Sequence, residues 1–253
     1  MRIDDLDTPR NVDGAVGAIL RCLERFGLHW DGEIYYQSQQ LDVYQQVLNR
    51  LRREQWLYAC HCSRKTLGHR PVYPGVCRDA GYSFDKPSAW RLKTQDLQIE
   101  FDDALQGKVS QNLASEHGDF IVRRKDNIIA YQFAVVIDDQ LQQVNHVVRG
   151  VDLLDSTPKQ RYLQRLLDYP EPSYMHLPLI VDSQGNKLSK QTLATPVDDT
   201  QPEPTLFLLL QMLQQNPPSS LQNASISMQL DWASAHWQPI ALKKIRAIQP
   251  PIH

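Results

Sequence analysis

No apolar run in this sequence approaches the ~20 residues that a membrane-spanning helix needs. The acidic opening Met1-Arg-Ile-Asp-Asp5 has neither the basic nor the apolar region of a signal peptide. Cysteine is scarce: the four, at positions 22, 60, 62 and 77, are too few and too clustered for a secreted disulfide framework. A surplus of basic charge is also missing. The formal net charge of −2 excludes a uniformly basic nucleic-acid coat, although it leaves room for a local patch. Glycine numbers only 11, and no internal repeat or low-complexity tract interrupts the chain. These absences point to a reduced, cytoplasmic protein. With 42% hydrophobic and 22% charged residues over 253 positions, the chain has the makings of one large globular domain, or of one domain with a small appendage.

What is present gathers around Leu177 to Gln191. Leu177 to Val181 is a short, partly β-branched apolar run, long enough for one buried strand. Asp182-Ser-Gln-Gly-Asn186 is turn chemistry, with Gly185 and Asn186 both tolerant of positive φ. Lys187 and Lys190 then flank Leu188-Ser189. Two ammonium groups and a hydroxyl on a loop after a strand suit the negative charge that develops on a triphosphate under attack. A Lys-x-Ser-Lys alone is more often a solvated turn. Its meaning depends on the rest of the chain.

Upstream, Val12, Val16, Ile19, Leu20, Leu23 and Phe26 fall at helical spacing and Gly27 is a good stop, which predicts a helix from Asn11 to Phe26. A second is expected from about Gln39 to Glu54, with Leu41, Tyr44, Val47, Leu48 and Leu51 on one face. Trp90–Lys93, Gln98–Phe101, Phe120–Arg124 and Val144–Gly150 read as strands. Ala130 to Ile137 is too uniformly apolar for periodicity to separate strand from helix, and Asp138-Asp139 is expected to end it. Ser156-Thr-Pro158 starts a helix, and Leu206–Leu213 and Met228–Trp237 read as two more.

Cys60-His-Cys62 with Cys77 brings three thiols close together in a cytoplasmic chain, with the ligand softness that zinc prefers. From the residues alone the fourth ligand is open among Tyr73, His61 and His69, with a histidine favoured over a phenolate. Arg149, at the C-terminal edge of its expected strand, is well placed for a ligand. Lys243, Lys244 and Arg246 make too weak a patch to indicate nucleic acid.

Four of these segments, in this order, resemble the class I aminoacyl-tRNA synthetases of the glutamyl branch: Arg2-Ile-Asp-Asp-Leu-Asp-Thr-Pro-Arg10, Tyr131-Gln-Phe-Ala-Val-Val-Ile-Asp-Asp139, Val147-Val-Arg-Gly-Val-Asp-Leu153, and the loop Gly185-Asn-Lys-Leu-Ser-Lys190 after His176-Leu-Pro-Leu179. The resemblance implies an α/β, Rossmann-like catalytic domain over residues 1–195, with Ala130 to Ile137 a helix. It also implies a zinc-braced insertion at 55–118 and a short C-terminal helical extension at 196–253, with no anticodon-binding domain. It assigns Lys187 and Lys190 to the leaving pyrophosphate, with Lys190 on ATP, and Asp4, Tyr131 and Arg149 to substrate glutamate. Asp4 replaces the family's glutamate, and Val135 stands where many glutamyl-tRNA synthetases have asparagine.

The Cys-x-Cys…Tyr-x-x-x-Cys layout is similar to that of the glutamyl-queuosine synthetases, the shortened paralogues of glutamyl-tRNA synthetase, and names Tyr73 as fourth ligand beside Cys60, Cys62 and Cys77. Membership there implies a monomer that binds structural Zn²⁺ and uses ATP, Mg²⁺ and L-glutamate. It would acylate queuosine at the wobble position of tRNA(Asp). The family's first strand and His-Ile-Gly-His-like ATP signature would lie upstream of Met1. The expectation is therefore either a natural chain that starts earlier or a tRNA-binding relic; a catalytic fragment charging the tRNA 3′ end is a further alternative.

Overall fold

The computed structural model describes residues 1–68, 70–188 and 197–250. Strand β1 (Arg2–Ile3) is followed by helix α1 (Ala15–Arg25), strand β2 (Tyr35–Tyr36) and helix α2 (Leu41–Arg53). Next come β3 (Leu57–Cys60), the single turn α3 (Arg64–Leu67), β4 (Ala89–Leu92), β5 (Gln98–Asp103), β6 (Gly107–Asn112), the turn α4 (Leu113–Glu116) and β7 (Phe120–Arg123). Helix α5 (Tyr131–Leu141), β8 (His146–Gly150), α6 (Thr157–Leu166), β9 (Ser173–Leu177) and β10 (Leu179–Ile180) complete the central part. Helices α7 (Pro202–Met212) and α8 (Ile226–His236) and strand β11 (Ala247–Ile248) follow.

The principal sheet has the order β6-β5-β9-β8. Its β8 and β9 run parallel, with α6 as the crossover between them, and β5 joins β9 in parallel at Asp103 and Tyr174. β5 buries every second residue, as expected of a strand with one solvated face. A second, antiparallel sheet β3-β4-β7 carries Cys60 at its edge. Tyr44, Leu48 and Leu51 of α2 share one core with Trp90 and Leu92 of β4, Phe133 to Ile137 of α5, and Tyr162 and Leu163 of α6. This is a mixed α/β domain. No described helix is long and apolar enough to cross a membrane.

Three local expectations are corrected. Leu177 to Val181 is not one strand: Pro178, which cannot donate to a ladder, separates β9 from β10, and β10 pairs with β11 instead. α5 does not end at Asp138-Asp139 but runs on to Leu141, burying the whole stretch Phe133 to Asp138. α1 turns part of its apolar set outward, leaving Val12, just ahead of it, and Ile19 exposed; it meets the body at its end. There Phe26 packs with Cys22, Leu206, Leu210, Ile226 and Leu230. Gly27 takes φ +65°, and a Cβ there would come 2.9 Å from Ile226 Cγ2, so both backbone and space call for glycine.

Asp138 explains much of the arrangement around α5. Its carboxylate is fully buried and accepts hydrogen bonds from Tyr35 Oη at 2.9 Å, Gln37 Nε2 at 2.7 Å and Tyr44 Oη at 2.7 Å. One side chain thus ties β2, the turn after it and α2 to α5. Burial beside this carboxylate raises the hydroxyl pKa of both Tyr35 and Tyr44, so both remain donors.

Candidate amino-acid and metal sites

A cavity of about 270 Å³ is lined by Asp4, Gln37, Arg124, Ile129 and Tyr131, among others. β1 delivers Asp4, and the first turn of α5 delivers Tyr131. Asp4 is held by Arg2, whose Nε donates to Asp4 Oδ1 at 2.9 Å while Nη1 donates to Asp139 Oδ1 at 2.6 Å. Desolvation raises the Asp139 carboxyl pKa despite the contact with Arg2. Val135 does not line this cavity; it is buried in the main core.

Arg149, at the end of β8, joins the cavity through Tyr131: its Nη1 donates to Tyr131 Oη at 3.2 Å. Its Nη2 donates to Thr157 Oγ1 at 2.9 Å and to the Leu153 carbonyl at 3.3 Å, and its Nε to His176 Nε2 at 3.1 Å. His176 is fully buried, stacks on Tyr174, and binds Asp103 Oδ2 through Nδ1 at 2.6 Å. Burial alone would raise the Asp103 carboxyl pKa. Hydrogen bonds from His176 and from the Gln106 and Leu105 amides outweigh it and hold the carboxyl below its usual value. Asp103, Thr157 and His176 carry structure that the sequence reading gave no role. The available signal was an aspartate at an inward position of an alternating strand.

The loop after β10 is a tight hairpin. Asp182 Oδ1 accepts the amides of Gln184 and Asn186, and Leu188 N donates to the Ile180 carbonyl. Only Gly185 of the expected pair adopts positive φ, at +81°. Lys187 Nζ reaches Asp152 Oδ2 at 2.6 Å. Asp152 belongs to the same short segment as Arg149, so the loop and the guanidinium are linked through four residues. Gly150 lies between them: a Cβ there would come 2.5 Å from Asp152 Oδ1 and 3.2 Å from Leu179. Ser189 and Lys190 lie outside the described residues.

Around Cys60, at the end of β3, the sulfurs of Cys60, Cys62 and Cys77 all lie within 4.8 Å of one another. Tyr73 Oη sits 3.5 Å from Cys60 Sγ and 3.9 Å from Cys62 Sγ. A tetrahedron with Zn–S bonds of about 2.3 Å has edges of about 3.8 Å, so the three sulfurs could hold a single zinc-sized ion, with Tyr73 Oη beside two of them. Arg91 braces the cluster, its Nε donating to Cys60 Sγ at 3.4 Å and its guanidinium lying 3.7 Å from the Tyr73 ring centroid. Burial would raise the Cys60 thiol pKa, but the Tyr73 and Arg91 contacts lower it overall, whereas burial and Cys77 raise that of Cys62. His61 packs edge-on against Tyr82 and is not in the cluster; His69 lies outside the described residues.

The model of the family described as tRNA synthetases class I (E and Q), catalytic domain, matches residues 1–71 and 78–213, and the chain belongs to that family. Within it, the chain is 44% identical over 249 residues to the glutamyl-Q tRNA(Asp) synthetase of Pseudomonas fluorescens, covering 98% of this chain and 83% of that protein. To the glutamyl-Q tRNA(Asp) synthetase of Pseudomonas aeruginosa it is 47% identical over 238 residues, covering 94% and 81%. Among solved structures, a glutamate tRNA ligase from Elizabethkingia meningosepticum in complex with its amino acid superposes with a TM-score of 0.76 at 21% identity. That likeness covers 99% of this chain and 60% of the ligase, and shows the shared fold.

Proposed function

We propose that this protein activates L-glutamate with ATP and transfers the glutamyl group to queuosine at the wobble position of tRNA(Asp). The observation that carries the reading is the pair of relatives named glutamyl-Q tRNA(Asp) synthetase, at 44% and 47% identity over nearly the whole chain. Asp4 and Tyr131 on the wall of one cavity, with Arg149 bonded to Tyr131, support it. In this reading Arg149 and Tyr131 hold the side-chain carboxylate of glutamate and Asp4 its ammonium group. The α-carboxylate then attacks the α-phosphorus of ATP, an acyl–phosphate bond forms as the bond to pyrophosphate breaks, and queuosine displaces AMP. Lys187 and Lys190 neutralise the leaving pyrophosphate, a role that Mg²⁺ shares when bound. No nucleophilic side chain is needed; the protein contributes position and charge.

Cys60, Cys62, Tyr73 and Cys77 hold a structural Zn²⁺ that braces the segment 55–118. Residues 1–195 make up the catalytic domain, and 196–253 a helical extension. The protein works as a monomer in the cytoplasm, where tRNA is found. The test is ATP-dependent transfer of labelled glutamate to tRNA(Asp) with and without queuosine. Transfer that requires queuosine supports the reading. Equal transfer to both tRNAs, or release of the label by removing the 3′-terminal nucleotide, would overturn it.

A further inference from the structure

We infer that Asp103 and His176, neither of which lines the cavity, set the direction of the donor that Arg149 offers to a carboxylate, and that they do so by fixing one imidazole tautomer. This rests on the proposed use of Arg149 and Tyr131 by glutamate. Arginine has five N–H donors and no acceptor. Its Nε faces His176 Nε2, so that nitrogen accepts, and the ring proton sits on Nδ1, pointing at Asp103 Oδ2. The other Asp103 oxygen already takes the amides of Leu105 at 3.0 Å and Gln106 at 2.8 Å. A buried carboxylate with this many fixed donors does not turn.

The rest of the guanidinium follows from this anchor. Both Nη2 hydrogens go to Thr157 Oγ1 and the Leu153 carbonyl, and one Nη1 hydrogen goes to Tyr131 Oη. Among the described residues, one Nη1 hydrogen and the Tyr131 hydroxyl hydrogen have no acceptor. Their heavy atoms lie 3.2 Å apart, so the two donors can form a fork, one for each oxygen of a carboxylate. A carboxamide presents a donor to one of the two prongs. The fork therefore selects glutamate over glutamine, and its aim depends on a tautomer set by Asp103, two side chains away.

Asp103→Asn separates this role from simple packing. The amides of Leu105 and Gln106 will keep the asparagine oxygen, so the new NH₂ group faces His176 Nδ1. The imidazole must then move its proton to Nε2, which turns from accepting Arg149 Nε–H to facing Thr157 Oγ1 at 3.2 Å as a donor and leaves Arg149 Nε–H without its acceptor. Three purified proteins besides the wild type suffice: Asp103→Asn, His176→Gln, whose amide oxygen can accept from Arg149 in place of Nε2, and the double variant. Glutamate and glutamine Kd values are measured by calorimetry, and the His176 tautomer by ¹⁵N NMR.

Asp103→Asn is expected to weaken glutamate binding by about tenfold or more, the scale of one charge-assisted hydrogen bond, and to convert His176 from the Nδ1–H to the Nε2–H form. In the His176→Gln background the same substitution is expected to change the Kd less than threefold. Equal losses in both backgrounds, or a wild-type His176 protonated on Nε2, would overturn the inference. If Asp103→Asn does not fold, the wild-type tautomer still decides it. A wild type that binds no glutamate would sink the reading of the pocket, while the tautomer result would judge the relay by itself.

Discussion

Asp138→Ala tests whether the fold is held where α2, β2 and α5 meet. The substitution leaves three donors without their acceptor. Tyr44 Oη and Gln37 Nε2 belong to residues 0% and 2% exposed, and water cannot replace the lost partner there. Each buried donor left unmade costs about 1–3 kcal/mol; Tyr35 is partly exposed and adds less. The expected loss is on the order of 4 kcal/mol, a large share of the roughly 5–15 kcal/mol that holds a domain folded. Asp138→Asn has nearly the same shape. Its oxygen can still accept from both tyrosines, and Gln37 can turn its amide to offer an oxygen to the new NH₂, so the loss should stay near about 1 kcal/mol. Reversible urea unfolding followed by tryptophan fluorescence measures both, with the comparison made at constant m. If the alanine variant lies within about 1 kcal/mol of wild type, or if both variants lose the same amount, the hydrogen-bond argument fails.

Other outcomes are expected on the same physical grounds. The purified protein should carry about one zinc by elemental analysis. Cys77→Ser should lose the metal and lower the melting temperature, and Tyr73→Phe should weaken binding less, since three thiolates remain. Lys190→Ala should abolish glutamate-dependent pyrophosphate exchange in a protein that performs it. Lys187→Ala should reduce exchange and leave glutamate Kd unchanged; unchanged exchange in Lys190→Ala would remove the pyrophosphate role. Because Asp103 has a lowered folded pKa, its contribution to stability is complete above the ordinary aspartate value of about 3.9 and is lost as the pH falls through the lower folded value. Melting temperatures between pH 6 and pH 2.5 should therefore fall less steeply for Asp103→Asn than for wild type.

The fold was legible where residue pattern and environment agree. Gln98 to Phe101 alternates in both sequence and burial, and Tyr44, Leu48 and Leu51 take the buried face of α2 that helical spacing gave them, whereas Leu41, expected beside them, is exposed. Periodicity could not settle α5, because a helix buried over six consecutive residues has no polar stripe; its motif did. α1 misled in the opposite way, offering an apolar stripe that the structure leaves partly exposed. Tyr131, Arg149 and Asp4 were nameable because they stand inside motifs. Their supports were not: Asp103 lies 46 residues before Arg149 in the chain, His176 27 after it, and only strand pairing brings the three together. Likewise no local signal ties Lys187 to Asp152, 35 positions away.

The short pairing of β10 with β11 makes the last described turn of the chain part of the loop's mounting. Leu179 N donates to the Arg246 carbonyl and Val181 N to that of Ile248, so the strand leading into Lys187 has its open edge closed by residues more than sixty positions later. A shortened protein ending at Lys243 keeps every residue of the cavity, yet the strand leading into its hairpin loses the backbone partners that Arg246 and Ile248 supply. On the proposed role of Lys187, the tail then acts as a tensioner that bears on how often this side chain is in place for pyrophosphate to leave. Such a protein should bind glutamate as before and exchange pyrophosphate more slowly, with faster amide exchange at Leu179 and Val181.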